Sequence, residues 1–248
     1  MKVALKIILL LLVGGYLIFA IVEFSQRSEE RVCEAVDIQI SDSLEGGFVT
    51  TDYIHGILTR NKVFAEGMRL SSIDIQGLED ILRKDPYIDS ANCYCSAASH
   101  LCINVIPQRP VLHVIQNSGE NYYLDGSGAT MPVDCMNIDL CVATGNITKD
   151  YAKKNLLELA KFIYADEFWD KQIEQIHVTD KNVIELYPRV GEHVIILGTP
   201  DNFRRKLENL MIFYKKGLNK TGWNKYAIIN LSYDGQVVCT KKNKTNNI

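Results

Sequence analysis

The chain has 248 residues, about half of them apolar and about a quarter charged, which is enough mass for one large domain or two small ones with cores of their own. A formal net charge of −3 argues against the strongly basic face that nucleic-acid binding requires, and the basic residues that gather late in the chain (Lys241, Lys242, Lys244) read as a solvated tail. Low-complexity stretches and internal repeats are absent from the sequence.

Residues 3–22 are apolar except for Lys6, whose position near the end of the stretch lets its ammonium reach the interface. Twenty residues of helix cover about 30 Å, the hydrocarbon thickness of a bilayer. Lys2 and Lys6 precede this stretch, while Glu23, Glu29 and Glu30 follow it among Arg27 and Arg31. The bias predicts a cytoplasmic N-terminus and export of everything after about Glu23. No A-x-A-like cleavage site follows the apolar core, so an uncleaved anchor is expected rather than a signal peptide.

An exported chain is free to form disulfides, and seven cysteines leave at least one unpaired if the rest couple. Past a short polar link, Val36, Ile38 and Ile40 alternate with polar residues as a strand does. Thr50, Thr51 and Asp52 offer helix N-cap chemistry ahead of Tyr53, Ile54, Ile57 and Leu58 on one helical face. A second helix is predicted over 72–84, with Ile73, Leu78, Ile81 and Leu82 as its apolar stripe and Pro86 marking its end. Strands are predicted at 87–95 and 101–106, joined by the small residues 96–99. Cys95 and Cys102 are then candidates to face each other across a hairpin as a disulfide. Ordinary half-buried thiols are the alternative, and a metal site built from Cys93, Cys95, Cys102 and His100 matches no zinc-ligand spacing. Cys33, Cys135, Cys141 and Cys239 offer no deducible pairing.

Pro107 and Pro110 mark a domain boundary. Beyond it, strands are predicted at 111–116, 122–124, 130–133, 173–178, 183–187 and 193–196, with helices at 149–164 and from Thr199 to a stop at Gly217. Strands at 226–233 and 236–241, joined by a turn at Asp234 and Gly235, close the pattern. The result is a two-domain α+β chain.

Those elements in that order resemble the cell-division family FtsQ/DivIB. Asp85-Pro86-Tyr87-Ile88-Asp89-Ser90-Ala91 is similar to the family's P-W/Y-V-x-x-A start of a strand, and Ile103 to Val111 to its V-x-V-x-E-R-x-P-V domain junction, with Pro107-Gln108 standing where an acidic residue is usual. Tyr122 to Gly128 resembles its Y-x-L-D-x-x-G hairpin, and Ile229 to Val238 its closing V-D-L-R-Y strand pair. The seven cysteines are not part of the family pattern. The resemblance implies a cytoplasmic tail at 1–6, a transmembrane helix at 3–22, a POTRA domain (β-α-α-β-β, a polypeptide-transport-associated module) at 33–107 with Ile38, Ile88 and Val105 among its core positions, a mostly antiparallel β domain with two helices at 108–241, and a tail at 242–248. It also implies a single-pass protein of the bacterial inner membrane at the division septum, which recruits other divisome proteins and binds an FtsB/FtsL-like partner by strand addition. The partner-binding residues would be Tyr233, Gly235, Val237, Val238, Cys239 and Thr240.

Enzymatic chemistry finds no footing in the sequence. The five histidines (His55, His100, His113, His177, His193) fall in no ligand or triad pattern. Asp125-Gly126-Ser127-Gly128 superficially resembles an aspartic-protease loop, but a tight turn explains it, and that chemistry needs two carboxylates. Glu158, Asp166, Glu167 and Asp170 read as a solvated face. No cofactor, metal or small-molecule substrate is expected. The competing reading is a POTRA-containing envelope transport or assembly component, against which stands the lack of repeated barrel strands.

Overall fold

The computed structural model describes residues 11–19, 31–41, 49–133 and 138–242. Residues 11–19 are helical (α1), and Leu11, Leu12, Val13, Tyr16, Leu17, Ile18 and Phe19 are exposed on it. The remainder of the span expected at 3–22, with Lys2, Lys6 and the acidic flank, lies outside the described residues. Among those described, no helix is long and apolar enough to cross a membrane. The chain divides into two units, Met1–Gln108 and Arg109–Ile248.

The first unit runs β1 (Ala35–Ile40), α2 (Thr51–Arg60), a 3-10 turn (Leu70–Ser72), α3 (Ile75–Arg83), β2 (Ile88–Cys95) and β3 (His100–Pro107). Its sheet has the order β1-β3-β2, with β1 parallel and β2 antiparallel to β3. Thr50 caps α2 by accepting the Tyr53 N–H at 3.2 Å. The second helix starts later than the periodicity predicts, because Asp74 is its cap and accepts the Gly77 N–H at 2.9 Å. Glycine at 77 leaves room for this cap: a Cβ there would stand 2.3 Å from the Asp74 carboxylate, which would have to shift. Asp85 accepts from the Tyr53 hydroxyl (2.9 Å) and the Tyr87 N–H (3.0 Å), which ties α2 to the start of β2. Ile54, Ile57, Leu78 and Leu82 pack with Ile88, Ala91, Leu101, Ile103 and Val105 as the core. Ile38, expected in that core, is only half-buried.

The second unit contains β4 (Pro110–Gln116), β5 (Asn121–Asp125), β6 (Thr130–Met131), β7 (Val142–Gly145), α4 (Lys149–Tyr151), a π-helical turn (Ala152–Leu156), α5 (Leu157–Ala165), α6 (Glu167–Gln172), β8 (Ile173–Val178), β9 (Ile184–Pro188), β10 (Val194–Gly198), α7 (Phe203–Phe213), a second π-helical turn (Tyr214–Leu218), α8 (Asn219–Thr221), β11 (Tyr226–Asn230) and β12 (Val238–Lys241). Nine strands form one sheet in the order β12-β11-β10-β9-β8-β7-β4-β5-β6. Among the described pairings five are antiparallel, and three, β4/β7, β7/β8 and β10/β11, are parallel.

Two of the parallel pairs have a simple cause: 149–172 between β7 and β8, and 203–221 between β10 and β11, are helical crossovers that return the chain to the same end of the sheet, whereas β5 and β6 lie between β4 and β7 in the chain. Here the structure departs from the sequence reading. β7 is an unpredicted strand, α6 is an additional helix, and the helix expected to stop at Gly217 runs through it to Thr221. Ala152, Leu156, Leu159, Ala160, Ile163, Leu207, Leu210 and Leu218 from the helices join Leu112, Val114, Ala143, Ile176, Val178, Ile184, Leu186, Ile195, Leu197 and Ile229 from the sheet in one core. Each such Leu, Ile or Val side chain contributes about 1.5–3 kcal/mol on burial.

Asp125, which closes β5, is 2 % exposed. Its carboxylate accepts the N–H of Ser127 (2.8 Å) and of Ala129 (2.7 Å) and the Ser127 hydroxyl (2.8 Å), so the Asp-Gly-Ser-Gly loop is a self-bonded turn into β6. Truncating the carboxylate takes the acceptor from two main-chain N–H groups and one hydroxyl. Asp125→Ala is expected to cost about 3 kcal/mol of stability in a urea titration, and a loss below about 1 kcal/mol would show that the turn holds without it.

Candidate functional site

The residues singled out for partner binding fall at one edge of the nine-stranded sheet. Tyr226 pairs with Lys241, Ile228 with Thr240, Ile229 with Cys239 and Asn230 with Val238, with a bulge between Tyr226 and Ile228. The expected two-residue turn at Asp234 and Gly235 is instead a seven-residue connection, 231–237. Asn230 ends β11 because its Oδ1 captures the Ser232 N–H (2.9 Å) and hydroxyl (2.6 Å), diverting the chain from the ladder. Asp234 is then held by an ion pair with Arg205 on α7, and Gly235 takes a left-handed φ of 67°. Tyr233, Gly235 and Val237 thus lie in the connection, while Val238, Cys239 and Thr240 lie on β12. Asn202, Arg205, Lys206, Tyr233, Asp234 and Gln236 line a cleft beside that connection.

Two hydrogen bonds fix which way the main chain of β12 faces. The Leu231 N–H donates to the Ile196 carbonyl of β10, and the Lys242 N–H donates to Lys225 O. Successive residues of a strand point their N–H and C=O groups to opposite sides. Residues 229 and 231 therefore face β10, and 228 and 230 face β12. On β12, Val238, Thr240 and Lys242 turn inward to the ladder, whereas the main-chain groups of Cys239 and Lys241 turn outward. The side chains divide the other way: Val237 and Cys239 pack against the core, while Val238 and Thr240 stay exposed.

The margins at β6 and β2 differ from this one. β6 has two residues. Just ahead of β1, Cys33 exchanges main-chain hydrogen bonds with Met68 and Gly67 (2.8 and 2.9 Å). Along β2, the Cys93 N–H donates to Glu79 Oε1 (2.8 Å) and the Ala91 carbonyl accepts from Arg83 (3.1 Å). Among the described residues no strand lies outside β12.

Beneath the end of β12 sits His193, 2 % exposed. Its Nε2 lies 2.8 Å from the Tyr214 hydroxyl, and its Nδ1 is buried without a partner. Gly191, at φ 95°, lets the backbone approach that nitrogen: a Cβ would stand 2.7 Å from it. Trp223 and Tyr214 pack their rings around the imidazole. Burial first, and then the Lys242 ammonium, lower the His193 pKa from its ordinary value; Lys242 itself pairs with Glu192. Burial likewise pushes the Tyr214 hydroxyl up. A histidine held neutral in the fold takes up its proton readily only when unfolded. Stability therefore falls as pH drops below about 6.5, by up to about 1.4 kcal/mol per pH unit until the folded form also titrates. In urea titrations between pH 7.5 and 5, His193→Phe is expected to lack this increment of slope; an unchanged slope would place the titrating group elsewhere.

The cysteine expectation is corrected. Cys95 stands opposite Leu101, and Cys102 opposite Tyr94. The two thiols therefore lie on opposite faces of the hairpin, and both are free. The same register separates Cys93 and Cys95 from Cys102 and His100, and His100 Nδ1 is 2.8 Å from Asp37 Oδ2. Among the described residues no group of three or more His, Cys, Asp or Glu is placed to hold a metal ion. Burial raises the Cys93 and Cys141 thiols to about 12, which keeps them protonated and unreactive at neutral pH. Sequence reasoning missed Arg205, Lys242 and Glu192, since an ion pair across 29 or 50 positions leaves no periodic trace.

Residues 109–240, more than half of the chain, match the family model for FtsQ/DivIB, C-terminal related. Residues 31–106 match that for the POTRA-like domain. No curated protein matches the chain.

Proposed function

Because the chain belongs to the family of FtsQ/DivIB C-terminal related proteins, we propose that it is a non-enzymatic scaffold of bacterial cell division that links early and late division proteins. The first unit is a POTRA-like domain, and a unit of this kind beside an FtsQ/DivIB-related one fits such a scaffold. In this reading the apolar stretch 3–22 is a single membrane anchor with the N-terminus cytoplasmic. Both units then lie outside the cytoplasm at the septum of the inner membrane. Recruitment runs through the free edge of β12, which takes a strand from an FtsB/FtsL-like partner.

The observation that carries this proposal is the outward-facing main chain of Cys239 and Lys241, with no neighbouring strand among the described residues. Strand addition draws affinity from such groups and selectivity from alternate side chains. Val238 and Thr240 would supply that selectivity on the exposed face.

Proline separates the two sides of the strand because it removes a single N–H. Cys239→Pro deletes an outward donor and is expected to abolish capture of the FtsB/FtsL-like partner in a pull-down, with circular dichroism unchanged. Val238→Pro deletes a donor to β11 and should lower stability by about 3 kcal/mol or more. Two folded variants that both still bind would sink the strand-addition reading. In cells, depletion of the protein is expected to give filaments with segregated nucleoids, and normal septation after depletion would count against the division role itself.

A further inference from the structure

The outer edge of β2 invites a second question, independent of β12. This edge strand is eight residues long, longer than exposed edges are usually left. The bond from the Ser96 N–H to His100 O places residues 90, 92, 94 and 96 inward against β3, so 91, 93 and 95 turn their main chain outward, up to the bulge between Ile88 and Ser90. Two consecutive outward groups are occupied, and by one pair of side chains. Glu79 takes the Cys93 N–H at 2.8 Å, Arg83 reaches the Ala91 carbonyl at 3.1 Å, and the two bind each other at 2.8 Å one helical turn apart on α3. The Cys93 N–H, and then Arg83, hold the Glu79 carboxyl below its ordinary range. An incoming strand would need the very groups that this pair fills.

The bare edge would be self-complementary. Two copies of β2, antiparallel about a two-fold axis through Asn92, place Ala91 opposite Cys93 and Ser90 opposite Tyr94. No like charges meet in this register, and Asn92, which would meet its own copy, is exposed. A closed, isologous contact of this kind is the simplest symmetric assembly.

We propose that the Glu79–Arg83 pair is a latch that closes the outer edge of β2, and that its opening turns this edge into a self-association site for β2 of a second copy.

Analytical ultracentrifugation of the full chain under reducing conditions tests this on three proteins: the natural chain, Glu79→Ala/Arg83→Ala, and that double variant with Asn92→Lys added. The double variant is expected to associate roughly tenfold more tightly than the natural chain. Asn92→Lys, which brings two ammonium groups together at the axis, should return it to the natural level. Amide exchange supplies a reading at the latch itself. In Glu79→Ala the Cys93 amide should exchange about tenfold faster while the Asn92 and Tyr94 amides keep their protection, and Glu79→Gln, which retains an acceptor oxygen, should keep Cys93 protected. A double variant that does not associate more tightly, association that survives Asn92→Lys, an unchanged Cys93 amide, or loss of the fold in the double variant would each overturn the proposal.

Discussion

A strand at the margin of a sheet satisfies the main-chain groups of every second residue and leaves the alternate ones facing outward. The interest of this protein lies in how those outward groups are answered at each margin. Two side chains of α3 serve β2, brevity disposes of β6, and the 67–69 segment covers the chain just ahead of β1. β12 has none of these devices among the described residues. Its hold on the fold comes from the inward groups of Val238, Thr240 and Lys242 and from the packing of Val237 and Cys239 on the core. The same alternation therefore lets one short strand be anchored on one side and available on the other.

The strongly periodic elements were legible in the residues. Thr50 caps α2 as its side-chain chemistry suggests, Ile173–Val178 is the strand its alternation predicts, and the Asp125 loop is a turn rather than half of a catalytic dyad. The misses share a physical cause. β7 reads Val-Ala-Thr-Gly, too short and too small to announce itself, yet it sits mid-sheet and makes two of the three parallel pairings. Gly217 looks like a helix stop, but the π-helical turn carries the chain through it, and Tyr214 on that turn meets His193. In both places packing against distant residues overrode local preference.

The candidate site was legible in outline and not in detail. Alternation located an edge pair near the Asp234-Gly235 turn, and family likeness singled out its residues. The turn proved longer because Asn230 folds its own amide oxygen onto Ser232, a competition that residue type permits but does not compel. The cysteines failed for a sharper reason. A spacing shows that two side chains sit near a turn, whereas the register decides whether they share a face, and here one residue of offset separates Cys95 from Cys102.

From β7 onward, spatial order in the large sheet follows chain order: β7, β8, β9, β10, β11, β12. In this layout each strand from β8 to β12 pairs with the one before it in the chain. Among the described residues, the β12 margin has a single strand neighbour. A substitution on its outward side therefore meets fewer neighbours than one in the interior strands, each of which is paired on both sides.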